Sequence, residues 1–146
     1  MARKPPGALR AADRRRGGAL PRPLPPLLPA LSSLADLAVR RAERRCLWPG
    51  ATAEALAEYR DFIRRQPGGG MLELGSIYCP CCHPAEFRDR LALVLERLPA
   101  GPRRELAGLV APLDEEFRRR TRHDPGARAR GPWYARHWWR QRVIGH

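Results

Sequence analysis

Four stretches of this chain repeat apolar residues at intervals of three and four positions, a spacing that favours α-helices over strands. In the clearest stretch, 84–98, the apolar stripe consists of Phe87, Leu91, Val94, Leu95 and Leu98. The same periodicity predicts helices over 32–47, 53–66 and 103–122, and Pro132 can start a short fifth one. The 16 Pro and 13 Gly cluster in segments that separate these stretches. The sequence therefore predicts an all-α fold, a small bundle of four or five helices.

The sequence predicts which residues cap the first two helices and which face of the first helix is buried. Ser32 or Ser33 can cap the first helix, and Thr52 can cap the second, because a hydroxyl accepts from the free N–H groups of a first turn. The predicted apolar stripe of the first helix consists of Leu31, Leu34, Ala35, Ala38, Ala42 and Cys46. We expect these side chains to face the core and the arginines of that helix to face solvent.

Charged residues in the later helices are expected on solvated faces. Arg88, Asp89 and Arg90 lie away from the main apolar stripe of their helix. The acidic run 114–116 is followed by three arginines, and adjacent charges of this kind indicate a solvated face rather than an acid–base centre. Pro112 interrupts the same helix and should kink or split it.

The densest group of metal-binding side chains is a loop between the helical halves of the chain. Cys79 and Cys82 have the C-x-x-C spacing of a tetrahedral zinc knuckle, and Cys81 or His83 can add a third ligand. One structural zinc ion is therefore a candidate cofactor. The fourth ligand would have to come from a distant residue: His123, His137, His146 or Cys46. His123 is the first of these to test.

Two other interpretations of the same loop stay open. A C-x-x-C pair can form a disulfide or carry a reactive thiol, chiefly where it caps a helix. Pro84 is better placed as the first helical residue, so the thiols lie ahead of the helix. Cysteine is also a small apolar side chain that simply packs in a core. Adjacent cysteines do not resemble a secreted disulfide framework, so a reducing cytoplasmic location is predicted.

Charge divides the chain into three parts. The net charge of +13 is distributed as +6 over residues 1–30, +2 over residues 31–127 and +5 over residues 128–146. We therefore expect a disordered segment rich in Arg and Pro over 1–30, a helical domain over 31–127 with its Cys/His loop at 79–83, and a basic, aromatic tail over 128–146. Basic ends attract polyanions such as nucleic acid or an acidic protein surface.

The tail interleaves rings with guanidinium groups. Its candidate binding residues are Trp133, Tyr134, Arg136, His137, Trp138, Trp139, Arg140 and Arg142. Indole rings beside arginines can stack on bases and neutralise phosphates. They can also lie at a lipid interface, anchor a protein partner, or fold back and complete a small core.

These features together predict a non-catalytic binding or regulatory protein that engages nucleic acid or an acidic protein surface through its basic, aromatic ends. No catalytic residue is predicted, and no segment has the roughly 20 apolar residues that a membrane span needs. A thiol-based redox or metal-handling protein using Cys79, Cys81 and Cys82 is the alternative. A helical adaptor that uses Trp138 and Trp139 to bind another protein is a third possibility.

Overall fold

The computed structural model describes residues 30–64 and 85–143. These residues form five α-helices, two 3-10 helices and one two-stranded antiparallel sheet. The elements are α1 (Ser33–Cys46), α2 (Ala51–Arg64), α3 (Glu86–Arg97), α4 (Ala100–Arg119), β1 (Arg122–His123), a 3-10 helix (Ala127–Arg130), α5 (Pro132–Arg136), a second 3-10 helix (Trp138–Gln141) and β2 (Arg142–Val143). The predicted all-α character is confirmed in this coarse sense. The N-terminal segment up to residue 29 and the Cys/His loop lie outside the described residues.

The first connection is closed by a side chain that the sequence did not single out. Ser32 caps α1 as predicted, because its Oγ accepts from the N–H of Ala35 at 3.2 Å. The expectation that Thr52 caps α2 is wrong, since α2 begins at Ala51. Instead the buried Glu43 of α1 accepts from the N–H groups of Gly50 (3.0 Å) and Thr52 (2.9 Å). A carboxylate supplied by one helix thus satisfies the free donors at the start of the next.

α1 presents most of the predicted stripe to the core, and Leu31 and Ala38 pack against it as expected. Val39 is fully buried, whereas Leu34 is 71% exposed and Leu37 is 46% exposed. The expected place of Leu34 in the core is therefore wrong, although Ala35 and Ala42 are buried as predicted. The buried face also includes Val39 and Glu43, and the Glu43 carboxylate reaches the start of α2.

The core is shared by all four long helices and by one residue near the C-terminus. Leu56 and Tyr59 of α2 pack with residues of α3 and α4, and Trp139 joins the same cluster. The buried apolar side chains of α3 and α4 in this cluster are Phe87, Leu91, Val94, Leu106, Val110 and Phe117.

α4 runs without a break through Pro112, so the expected split of this helix does not occur. A proline cannot donate to the carbonyl four residues earlier, which here belongs to Gly108. Both residues are exposed, so water can solvate the freed carbonyl. No helix in the described part of the chain has both the length and the apolar character that crossing a bilayer requires.

Residues 120–143, which we call the C-terminal arm, return to the bundle after α4. β1 and β2 pair antiparallel, with Arg122 opposite Val143 and His123 opposite Arg142. α5 begins with Pro132 at its N-terminus, as predicted. This return of the chain places Trp139 in the hydrophobic core.

Candidate nucleic-acid interface

A buried carboxylate attaches the C-terminal arm to α3. Asp89 Oδ1 accepts from the Trp139 indole Nε1 at 2.7 Å and from Arg140 Nε at 3.4 Å. Arg140 Nη2 donates to the other carboxylate oxygen. Asp89 and Arg140 are both buried, with side chains 9% and 2% exposed. A charge pair removed from water in this way holds its partners in one geometry, because separating them would leave unpaired buried charges.

A second buried carboxylate, Asp114, lies inside the bundle. Arg88 donates to it with both Nε (2.9 Å) and Nη2 (3.1 Å), and the Tyr59 hydroxyl donates to Oδ1 at 2.9 Å. Burial and then the adjacent Asp114 charge raise the pKa of Tyr59 above its usual value. The guanidinium of Arg88 also lies 4.2 Å from the centroid of the Trp139 ring. Arg88 therefore links this cluster to the C-terminal arm.

The prediction that Arg88, Asp89 and Arg90 are solvated is wrong, since all three are buried. Arg90 pairs with Glu58 and, at 2.9 Å, with Glu86. The periodicity within one helix cannot reveal that a distant segment covers its polar face. The C-terminal arm covers Asp89 and Arg88, whereas Arg90 is covered by Glu58 of α2 and by Trp48.

Several of the predicted binding residues point into the protein. Trp139 and Arg140 are buried, and Trp138 packs its edge on Phe117 at 6.0 Å with the Arg118 guanidinium 3.8 Å from its centroid. Arg142 donates from Nε to the Thr121 hydroxyl at 2.9 Å, and from Nη2 to the main-chain oxygens of Arg118 (2.8 Å) and Thr121 (2.6 Å). Burial, and then the nearby Arg118 charge, lowers the pKa of Arg142. These four side chains build the arm rather than extend from it.

The other predicted residues remain at the surface. Trp133 is 45% exposed and Arg136 is exposed, whereas Tyr134 is half-buried. His137 is half-buried between two indoles, 4.9 Å from Trp133 and 4.6 Å from Trp139 between ring centroids. Its ring is therefore engaged in aromatic packing.

Three exposed arginines of the arm were not among the candidates, and one of them, Arg130, pairs with Asp124. Arg122 in β1 and Arg128 in the first 3-10 helix both reach solvent. The sequence did indicate Arg122 and Arg128 as candidates, because both lie in a stretch with many arginines and few acids. We call the exposed side chains of Arg122, Arg128, Trp133 and Arg136 the C-terminal basic surface.

The metal prediction falls mainly outside the described residues, where Cys79, Cys81, Cys82, His83 and His146 lie. His123 is exposed in β1. Cys46 is half-buried, and its Sγ donates to the Ala42 carbonyl at 3.2 Å. Within residues 30–64 and 85–143, no three His, Cys, Asp or Glu side chains gather in a group that could hold a metal ion. The zinc and redox interpretations of the loop stay predictions from the sequence.

The described residues thus offer a fixed arm with an arginine-rich, partly aromatic exterior, secured from beneath by Asp89. Four of the eight predicted tail residues anchor the arm, and the exposed remainder shares its surface with Arg122 and Arg128. The chain matches no known protein family, curated protein or solved structure, so this geometry is the ground on which its function has to be inferred.

Proposed function

We propose that this protein is a non-catalytic binding protein that engages nucleic acid through the C-terminal basic surface. One observation carries the proposal: the arm combines a strong excess of arginine with an exposed indole. Residues 120–143 contain seven Arg, and Asp124 is their only acidic residue. A guanidinium matches the geometry of a phosphate, and an indole can stack on any base.

The pairing of charges within the arm supports an outward positive potential. Arg130 pairs with Asp124, and Arg140 pairs with Asp89 of α3. No ion pair links Arg128 or Arg136 to any of the described residues. Because these two guanidinium groups are exposed and not neutralised, they are available to phosphates.

The docking of the arm also favours binding. Trp139 and Arg140 fix it to α3, and Arg142 fixes its last strand to the end of α4. A surface that is ordered before binding loses less conformational entropy when its partner arrives. An acidic protein could be attracted by the same charges and could bury Trp133 as well. Nucleic acid is favoured because each of its nucleotides carries a phosphate next to a base, which matches guanidinium groups next to an indole.

Salt dependence gives the direct test. The full chain is titrated against a labelled single strand and a duplex of about 20 nucleotides per strand at roughly 50 and 200 mM salt. We expect binding at the lower salt and a steep loss at the higher one. For the double variant Arg128→Ala, Arg136→Ala, the log–log salt slope should fall by about 1.4 to 1.8 if each arginine neutralises one phosphate.

A matched control removes the same charge elsewhere. Arg41 and Arg44 are exposed on α1, so the double variant Arg41→Ala, Arg44→Ala has the same net charge as the test variant. We expect it to retain nearly all of the affinity. An equal loss in both double variants would show that net charge alone drives binding, and no binding at low salt would refute the proposal. Equally strong binding of polyglutamate would point to an acidic protein partner instead.

A further inference from the structure

A groove lies between two exposed indoles that come from distant parts of the chain. Trp48 belongs to the connection between α1 and α2, and Trp133 belongs to α5. Both line a groove of about 380 Å³ whose other walls include Leu47, Leu93 and Glu86. This volume is within the range of small-molecule sites, roughly 300–1,000 Å³.

The two indoles are supported in the same way. The guanidinium of Arg90 lies 5.5 Å from the ring centroid of Trp48, and that of Arg140 lies 5.7 Å from the ring centroid of Trp133. Both arginines are buried and also line the groove. Trp48 is further fixed by its Nε1, which donates to Glu54 at 2.9 Å. Each indole nevertheless keeps 45% of its surface exposed, so each can still accept a planar ring.

The polar groups of the groove differ in what a ligand can reach. Arg90 Nε and Arg140 Nη1 have no hydrogen-bond partner among the described residues, but both atoms are fully buried and so present no donor at the groove surface. The two guanidinium groups contribute instead through their positions beside the indoles. The Glu86 carboxylate is partly exposed at the same groove and can accept from a base N–H, such as the N3–H of thymine.

We propose that this groove holds an unpaired base of a single-stranded nucleic acid, stacked on Trp48. The chemistry required is a flat, aromatic ring with hydrogen-bonding edges, which a nucleobase has and a duplex hides within its stack. This inference rests on the proposed function, because the C-terminal basic surface would hold the phosphates of the same strand. Trp133 belongs to both features, so it would connect the backbone contacts to the base site.

The test compares strands that differ only in their bases. The full chain is titrated at low salt against a labelled thymine single strand, an abasic strand of equal length and charge, and a duplex. We expect Trp48→Ala to weaken binding of the thymine strand on the order of tenfold, since one stacked base is lost. Binding of the abasic strand and of the duplex should not change. Trp48→Phe, which keeps a ring, should restore most of the affinity.

Leu34→Ala is the control, because Leu34 is exposed and lies on α1 outside the groove. It should bind all three ligands as the unaltered chain does. Two results would overturn the base site: an unchanged affinity of Trp48→Ala for the thymine strand, or an equal loss for the thymine and abasic strands. Competition by free thymidine monophosphate as strong, per molecule, as that by the strand would also overturn it, in favour of a free-nucleotide site.

The failure of the base site can be told apart from the failure of the proposed function. If abasic and thymine strands bind equally and both weaken in the Arg128→Ala, Arg136→Ala variant, the basic surface is retained and the base site is excluded. If neither strand binds at low salt, both proposals are refuted.

Discussion

The helical bundle and the C-terminal arm are held together by different chemistry. The bundle buries a continuous apolar cluster in which Leu91, Val94, Leu106 and Val110 are at most 1% exposed. The arm contributes Trp139 and little else to that cluster, and is attached mainly by guanidinium and indole donors. Apolar packing is non-directional, whereas a buried donor requires one particular acceptor. The bundle is therefore stabilised mainly by its buried apolar area, and the arm is positioned by specific donor–acceptor pairs.

Two aspartates make this difference measurable, because each accepts from one arginine and one aromatic donor. Asp114 draws its partners, Arg88 and Tyr59, from within the bundle. Asp89 draws both of its partners from the arm. Matched substitutions at these two positions should thus have different consequences.

The largest effect is expected for Asp114→Ala. Removing the Asp114 carboxylate leaves the buried Arg88 guanidinium charged and unpaired. This should lower the free energy of unfolding by about 3–5 kcal/mol. Urea denaturation followed by far-ultraviolet circular dichroism measures the change. Since α2, α3 and α4 meet at this cluster, the loss should appear in one cooperative transition of the whole bundle. A change below about 1 kcal/mol would mean that the cluster is not a stabilising centre.

Asp89→Ala should lower the free energy of unfolding less, because detachment of the arm avoids an unpaired buried charge. The unpaired Arg140 can return to water if the arm detaches, so the loss is limited to the docking free energy, on the order of 3 kcal/mol. Hydrogen exchange should show faster exchange in residues 120–143 and little change in α1. Equal destabilisation of α1 and the arm would contradict the separation of the two regions.

Tyr59→Phe should change how the free energy of unfolding depends on pH, because only the Asp114 cluster contains a tyrosine. Because the pKa of Tyr59 is raised in the folded state, its contribution to stability is complete below the unfolded value near 10 and is lost as pH rises above it. By pH 11 the unaltered chain should lose about 1.4 kcal/mol that Tyr59→Phe does not lose. Urea titrations at pH 8 and pH 11 measure the difference. Trp139→Phe is the control, since an indole N–H does not titrate and its difference from the unaltered chain should be the same at both pH values.

The smallest effect is expected for Arg142→Lys. A single ammonium cannot reproduce the contacts of Arg142 with Thr121 and the main chain of Arg118, so the β1–β2 pairing should weaken by about 1 kcal/mol. Proteolysis of the native state near His123 would report this change. Affinity for a single strand should stay within about twofold, because Arg142 serves the fold. A tenfold loss would contradict this expectation.

Helix positions were predictable from the sequence because they depend on local spacing. The predicted helix over 32–47 is observed at Ser33–Cys46, and that over 84–98 at Glu86–Arg97. The edges of the buried face were less predictable, since Leu34 is exposed whereas Val39 and Glu43 are buried. The burial of Glu43 depends on its contact with the start of α2, which periodicity within one helix does not encode.

The candidate interface was predictable in composition but not in orientation. Arginines and rings marked the tail, yet nothing in their order separated the buried Trp139 from the exposed Trp133. One signal could have been recognised: Asp114 continues the buried series Leu106, Val110 and Phe117 at helical spacing. A carboxylate within an apolar stripe indicates a buried partner, and Arg88 is that partner.

Glu43 also has a consequence for the order of folding. Its carboxylate oxygens accept from the N–H groups of Gly50 and Thr52, which lie only seven and nine residues further along the chain. These hydrogen bonds therefore close a very short loop. Such loops form within about 100 ns, far faster than the distant pairings of Asp89 with Trp139 and Arg140 can be found. We therefore expect the α1–α2 hairpin to nucleate early, and the attachment of the last strand to complete the molecule.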